Sequence, residues 1–175
     1  MYPENMQLSL HFPELHRFIL EQFELPLDSL HGPSHWARVG RIGKRLARHS
    51  TADPVVLELF SLFHDSRRKN DDWDLEHGPE AARFMVKLRG VYFDCTDLQF
   101  EQLQYAVQHH TTGKPTDHIT IGACWDSDRL DLMRVGIRPD PAYLSLEHSR
   151  EETTILWAIQ QSLEEMDPDL NLLDS

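Results

Sequence analysis

The sequence predicts an all-α fold, a single-domain helical bundle, and three observations lead to this prediction. Apolar residues recur at helical spacing in most segments, and no stretch alternates polar and apolar residues as a half-buried strand does. Gly-Pro steps at 32–33 and 78–79 precede two such segments, and proline suits the first helical turn because no N–H donor is needed there. The 175 residues, 40% of them hydrophobic, suffice for one buried core, so residues 1–175 are expected to form one domain.

The individual helices follow from their apolar stripes. The first stripe ends at Pro26 and consists of Leu15, Phe18, Ile19 and Phe23. The run PVVLELFSLF is too apolar for a surface helix, which indicates a buried central helix at 54–63. The other helices are expected to begin near Pro33 and Pro79 and to span about 97–110, 118–132 and 149–165. Residues 167–175 are predicted to form a frayed acidic tail.

The charge balance limits the classes of partner. With 29 Asp and Glu against 17 Lys and Arg, the formal net charge is −12, whereas binding to a nucleic-acid duplex or an anionic membrane relies on Lys and Arg. Cys95 and Cys124 alone provide neither a disulfide framework nor a four-thiolate zinc site. The N-terminal segment lacks the pattern of a signal peptide, and no run of 18 apolar residues predicts a membrane span. We therefore expect a cytoplasmic protein.

Histidine is unusually frequent, with 11 residues, and several of them continue apolar stripes. His35 shares a stripe with apolar residues of its segment, whereas Arg38 and the later arginines form a face that leans to solvent. The doublet His64-Asp65 directly follows the buried helix. Other inward polar residues are His77, His110, Asp126 and Asp128. A buried polar group without a partner costs about 1–3 kcal/mol, and one metal ion can satisfy several such groups, so the pattern predicts a metal site.

These residues carry a resemblance to a known family. His35 in HWARV, the doublet His64-Asp65 and Asp128 in DSDRL resemble the H…HD…D signature of the HD-domain superfamily of metal-dependent phosphohydrolases, over about residues 30–132. The resemblance implies an HD-type bundle in which these four side chains hold a divalent ion, with Mn, Fe, Zn, Co, Ni and Mg not distinguished. Asp126 is an alternative to Asp128 as the fourth ligand. Helix geometry puts the two about 200° apart, so both cannot face the same ion without a bend in the helix. We favour Asp128 because the family's Asp directly precedes an Arg-Leu or similar pair.

The additional histidines resemble the added ligands of binuclear members such as the cyclic-di-nucleotide phosphodiesterases. In that case Asp65 would bridge two ions, and the second ion would be held by His77 and by the doublet His109-His110. Two interpretations of His77 stay open, a ligand or a residue that begins the HGP helix, as His31 does. At least one residue of the doublet is expected in the site, and the other could donate a proton to the leaving oxygen. The missing GYP tripeptide argues against cyclic dinucleotides as substrates.

The resemblance implies hydrolysis of a phosphoester, a nucleotide or another small phosphorylated metabolite, through a metal-activated hydroxide. The candidates for phosphate binding are Arg67, Arg68, Lys114 and Arg129, each close in sequence to a metal motif. Arg67 or Arg68 is preferred because a guanidinium binds phosphate bidentately. Two alternatives remain. The ligand order also resembles that of the di-iron oxygenases of the superfamily, and a catalytically silent sensor module would bind metal and nucleotide without turnover.

Overall fold

The computed structural model describes residues 12–166, and this part of the chain is all-helical. Its α-helices are α1 (Pro13–Glu21), α2 (Pro33–Arg48), α3 (Pro54–Phe63), α4 (His77–Val86), α5 (Asp97–His109), α6 (Ile119–Arg129), α7 (Glu147–Arg150) and α8 (Glu152–Met166). Short 3-10 helices lie at Leu132–Val135 and Pro141–Tyr143. Between residues 12 and 166 the sole strand-like feature is an isolated bridge between Arg89 and Phe93. The predicted all-α bundle is confirmed.

Helix α3 occupies the centre of the bundle. It packs against α2, α5 and α6, and also contacts α1 and α4. Leu59, Phe60 and Phe63 are fully buried. The helix begins where expected because the Asp53 side chain accepts hydrogen bonds from two N–H groups of the first turn. The residues that follow α3 therefore emerge in the interior of the bundle.

The predicted helix boundaries differ from the observed ones at four places. Helix α1 ends at Glu21, so Phe23 of the predicted first stripe lies beyond the helix. Helix α4 begins at His77 rather than near Pro79, which is possible because a proline in the first turn loses no intrahelical hydrogen bond. Helix α6 ends at Arg129, and the predicted C-terminal helix is divided by Glu151, whose backbone is extended. The predicted frayed tail, 167–175, lies outside the described residues. Within residues 12–166, no helix has both the length and the apolar character needed to cross a membrane.

Helix α2 carries a buried ion pair that its periodicity does not predict. Arg38, expected to lean to solvent, is 6% exposed. Its Nε lies 2.7 Å and 3.0 Å from the two carboxylate oxygens of Asp131, which follows α6. Hydrophobic periodicity marks where apolar side chains face, and it does not anticipate a buried carboxylate that arrives from a distant segment. The expectation for Arg38 was therefore wrong.

Candidate metal centre

Five helices bring His and Asp side chains to one point beside the end of α3. His64 and Asp65 follow α3, His35 lies in the first turn of α2, and His77 is the first residue of α4. His110 caps the end of α5, and Asp128 lies in the last turn of α6. All except the half-buried Asp128 are buried. Helix ends converge here, so the side chains that meet come from segments far apart in the chain.

His35 and His64 form the first pair of facing imidazoles. Their Nε2 atoms lie 3.0 Å apart. The Nδ1 atom of His35 is 2.7 Å from a carboxylate oxygen of Asp131, and that of His64 is 3.1 Å from the carbonyl oxygen of Phe60. Because these oxygens only accept hydrogen bonds, each Nδ1 carries the proton of the neutral ring and each Nε2 keeps its lone pair. Two lone pairs thus face each other, which is the arrangement that a cation between them would satisfy.

His77 and His110 form a second pair with the same design. Their Nε2 atoms lie 2.8 Å apart. The His77 Nδ1 donates to the carbonyl oxygen of Asp74, and the His110 Nδ1 is 2.8 Å from the carbonyl oxygen of Val107. In the neutral rings the Nε2 lone pairs again face each other. Thr111 adds a hydroxyl oxygen 3.5 Å and 3.4 Å from these two Nε2 atoms.

Asp65 lies between the two pairs, and a different carboxylate oxygen is close to each pair. Its Oδ2 is 3.5 Å from His35 Nε2 and 3.6 Å from His64 Nε2. Its Oδ1 is 3.1 Å from His77 Nε2 and 3.5 Å from His110 Nε2. One carboxylate can bridge two ions in this way, because each oxygen has its own lone pairs.

The electrostatics of the centre favour positive charge. Although burial opposes it, the surrounding histidines hold the pKa of Asp65 well below its usual range. The pKa of Asp128 is also lowered, against the effect of burial, by its contact with His35 and by the charge of Arg134. Burial lowers the pKa of His64 to about 3, so its ring stays neutral and keeps a lone pair. The pKa of His110 is raised despite burial, because the Asp65 carboxylate attracts a proton to it.

The donor set fits a divalent ion. Three groups place one potential ligand atom per residue within 4.8 Å of one another: His35, His64 and Asp128; Asp65, His77 and His110; and His31, His35 and Asp65. Imidazole nitrogen together with carboxylate oxygen suits Zn, Fe, Mn, Co and Ni. The buried His and Asp groups could therefore hold a metal ion, and the donor chemistry leaves its identity open.

The segment DSDRLD contains three acids with three different surroundings. Asp126, the predicted competitor for the metal, accepts hydrogen bonds from the backbone N–H of Ser145 at 2.7 Å and of Leu146 at 2.8 Å. Burial raises the pKa of Asp126. Asp128 instead has its Oδ1 3.3 Å from His35 Nε2. Asp131, which sequence reasoning missed, binds the opposite nitrogen of the same ring.

Substituting Asp126 and Asp128 separately by alanine should separate these roles. Asp126→Ala leaves two backbone N–H groups without their acceptor, which we expect to lower the free energy of unfolding by about 2–4 kcal/mol. Its metal content should equal that of the unaltered protein. Asp128→Ala should lose metal instead. Calorimetry and elemental analysis of both variants measure this difference, and a metal-free but fully stable Asp126→Ala protein would contradict it.

The doublet His109-His110 is divided between the centre and the surface. His110 caps α5 and faces inward, whereas the half-buried His109 ring packs on Tyr105 with ring centroids 4.6 Å apart. His109 belongs to none of the three potential ligand groups. The structure therefore does not bring His109, a candidate ligand and catalytic residue, into the centre. Successive helical residues point about 100° apart, so only one of the two could face it.

The arginines that follow the HD doublet also point in different directions. Arg68 is buried, and its Nε lies 3.2 Å from Asp65 Oδ1. Arg67 instead extends away from the centre, where its Nη1 donates to the carbonyl oxygen of Gln22 at 3.0 Å and its Nη2 to Glu24 at 2.9 Å. Of these two candidates for phosphate binding, the structure brings only Arg68 to the centre.

The remaining cationic candidates, Lys114 and Arg129, have surroundings outside the centre. Arg129 donates to the carbonyl oxygens of Tyr143, at 2.9 Å, and Gly113, so its guanidinium joins two loops. Lys114 is exposed on the loop after α5. A second guanidinium beside a candidate ligand, after that of Arg68, belongs to the buried Arg134, whose Nη2 is 3.9 Å from Asp128 Oδ1. Nothing in its sequence context singled Arg134 out.

His31 is a further residue of the centre that sequence reasoning assigned only to a helix start. Its Nδ1 lies 2.7 Å from Asp65 Oδ2, whereas His77 approaches the other oxygen, Oδ1. Both histidines begin an HGP triplet that leads into a helix. The repeated HGP triplet could therefore have indicated that both histidines belong to the centre, because each lies at a helix start and contacts Asp65.

Comparisons of the chain with protein-family models, with curated proteins and with solved structures found no match. The interpretation of the centre therefore rests on its own residues: two pairs of facing imidazoles, a carboxylate between them, and Asp128 beside the first pair.

Proposed function

We propose that this protein is a metal-dependent phosphohydrolase of the HD-domain type that acts on a small phosphoester. The observation that carries the proposal is the Asp65 carboxylate, with one oxygen toward His35 and His64 and the other toward His77 and His110. This arrangement supports a centre of two ions that share Asp65. A divalent ion held by such residues supplies Lewis acidity and lowers the pKa of water to give a nucleophile.

The ligands divide into two sets. His35, His64 and Asp128 would hold the first ion together with Asp65 Oδ2. His77 and His110 would hold the second together with Asp65 Oδ1. The Nδ1 hydrogen bonds fix the orientation of all four rings, so the ligands need little rearrangement when an ion binds.

Two buried arginines suit an anionic substrate. Because the protein has a net charge of −12, it repels anions at long range, and a phosphoester must be held by local positive charge. Arg68 lies beside Asp65 and Arg134 beside Asp128, so guanidinium groups flank ligands of both sets. Guanidinium groups hold phosphate oxygens in a fixed geometry and stabilise the negative charge that develops during phosphoryl transfer.

The neighbouring residues Arg67 and Arg68 provide a matched test of the proposed function. We expect Arg68→Ala to lower kcat/KM for a phosphoester by about 10- to 100-fold, since a hydrogen bond to a charged group contributes about 1.5–3 kcal/mol. Arg67→Ala should keep the rate of the unaltered protein, because its side chain faces Gln22 and Glu24.

The assay uses metal-free protein reloaded with Mn²⁺, Co²⁺ or Mg²⁺, together with a generic phosphomonoester and several nucleotides. Turnover that depends on the added metal and falls only in Arg68→Ala supports the proposal. Equal losses in both arginine variants would contradict the assignment of Arg68. Metal and nucleotide binding without turnover on any substrate would favour a sensor module.

The doublet His109-His110 tests the second ion. His110→Gln should bind one Mn²⁺ fewer per chain than the unaltered protein, because it removes one of two imidazoles facing Asp65 Oδ1. His109→Gln should keep the full stoichiometry, since its ring packs on Tyr105. Titration calorimetry gives both numbers. A stoichiometry unchanged by His110→Gln would limit the centre to the first ligand set.

A di-iron oxygenase remains the second candidate, because the six residues of the two sets follow the ligand order of that class as well. These residues are His35, His64, Asp65, His77, His110 and Asp128. Iron-loaded protein distinguishes the two functions. A mixed-valent iron signal in paramagnetic resonance, together with O₂ consumption and no phosphoester turnover, would replace the hydrolase by the oxygenase.

A further inference from the structure

One of the four inward imidazoles is held differently from the others. His64, His77 and His110 direct Nδ1 at backbone carbonyl oxygens, whereas His35 directs Nδ1 at the Asp131 carboxylate, 2.7 Å away. Hydrogen bonds to an ionised acceptor are about twice as strong as those between neutral groups. A carboxylate behind an imidazole also raises the basicity of the opposite nitrogen, which is the one that meets the ion.

Asp131 is itself fixed from several sides. It is fully buried, and its Oδ1 accepts from Arg38 Nε at 2.7 Å and from Ser162 Oγ at 2.6 Å. Ser162 lies in α8, so the C-terminal helix reaches the centre through this carboxylate. Arg134 donates to the backbone oxygen of Asp131 at 3.1 Å. The Nε of Arg38 also lies 3.0 Å from Asp131 Oδ2, so a guanidinium faces both oxygens and favours the ionised carboxylate.

The two ligand sets consequently differ in negative charge and in the basicity of their imidazoles. The first contains the Asp128 carboxylate and the one imidazole supported by a carboxylate, His35. The second contains two imidazoles supported by neutral carbonyl groups, and its only carboxylate is the shared Asp65. A divalent ion binds more tightly where more negative charge and more basic nitrogens surround it.

We propose that Asp131 is a positioning residue that holds His35 as an Nε2 ligand and thereby makes the set of His35, His64 and Asp128 the tighter of two cation sites. This inference rests on the two-ion centre of the proposed function and is independent of the substrate. Ions should therefore bind in sequence, first at the His35 set and then at the set of His77 and His110.

Titration calorimetry with Mn²⁺ on the metal-free protein tests this order. We expect two steps in the unaltered protein, and Asp131→Asn should weaken only the tighter step, by about 10- to 100-fold, as for other residues that support metal-binding imidazoles. The Co²⁺ absorption spectrum of the first step should also change. Asp126→Asn is the matched control, because Asp126 is a buried acid of the same segment that binds Ser145 and Leu146 instead.

Two steps of equal affinity, or an Asp131→Asn protein with an unchanged tighter step, would overturn the inference. Absence of phosphoester turnover would count against the hydrolase alone, since these affinities are measured without substrate. Asp131→Asn also removes the charge partner of Arg38, which could impair folding of the variant. A second test therefore uses the unaltered protein.

This second test measures the tautomer of His35 in the metal-free protein, read from long-range ¹H–¹⁵N correlation at about pH 8 and assigned with His35→Gln. We expect the proton on Nδ1, with a chemical shift further downfield than those of the three imidazoles bound to carbonyl oxygens. A proton on Nε2 of His35 would overturn the inference whether or not the variant folds.

Discussion

Asp65→Asn is expected to weaken the binding of both proposed ions severely and reduce phosphoester hydrolysis to background. The amide keeps the size of the side chain but removes the negative charge that faces both imidazole pairs. Residues that only support a ligand contribute about 10- to 100-fold to metal affinity, so loss of the proposed shared ligand should weaken both binding steps by at least about 100-fold. Elemental analysis and calorimetry measure the affinity, and a phosphoester assay measures the rate.

The control for this variant is Asp117→Asn, which changes an exposed aspartate on the loop before α6. It should bind metal and turn over substrate as the unaltered protein does. Far-ultraviolet circular dichroism should show the same helix content for both variants. If Asp65→Asn keeps the ions, Asp65 is not their shared ligand; if it keeps the hydrolytic rate, that activity belongs to another protein in the preparation.

Removal of the metal is expected to lower Tm by about 5–10 °C. An ion at 100 times its Kd stabilises the native state by about 2.7 kcal/mol, and each kcal/mol corresponds to about 2–4 °C for a chain of this size. The physical source would be the two pairs of facing Nε2 atoms, 3.0 Å apart in the first set and 2.8 Å apart in the second, whose lone pairs a cation would satisfy. Calorimetric scans with excess Mn²⁺ and with a chelator give the difference.

Two variants show whether this difference in Tm arises from metal bound at the centre. Asp65→Asn should melt at the same temperature with metal and with chelator. His109→Gln should retain the whole metal-dependent increase, because its side chain packs on Tyr105. An equal increase in Asp65→Asn would show that the stabilising ion binds elsewhere on the acidic surface.

The sequence by itself determined the helical class and the position of the HD doublet. A segment as uniformly apolar as 54–63 can be stable only where other helices cover all of its sides. His64 and Asp65, which follow it directly, must therefore lie in the interior, and there they meet His35. These predictions succeed because they depend on local periodicity and on the total burial that it requires.

The choice between neighbouring polar residues was decided by the tertiary structure. The sequence left His109 and His110 as alternatives, and the direction in which α5 ends brings His110 inward. Its periodicity also left Asp126 and Asp128 as alternatives, because both continue apolar stripes of one helix, and only the family resemblance favoured Asp128. The backbone N–H groups of Ser145 and Leu146, which follow the 3-10 helix at 141–143, donate hydrogen bonds to Asp126. Asp128 instead faces His35.

Only the tertiary structure decided which charged residues pair with partners far away in the sequence. Arg67 and Arg68 are equivalent in sequence, yet one binds Glu24 and the other Asp65. Asp131 is 93 residues from Arg38, and no local pattern connects them. An amphipathic stripe records how much apolar surface a segment must bury, whereas an ion pair depends on which two segments the completed bundle places together.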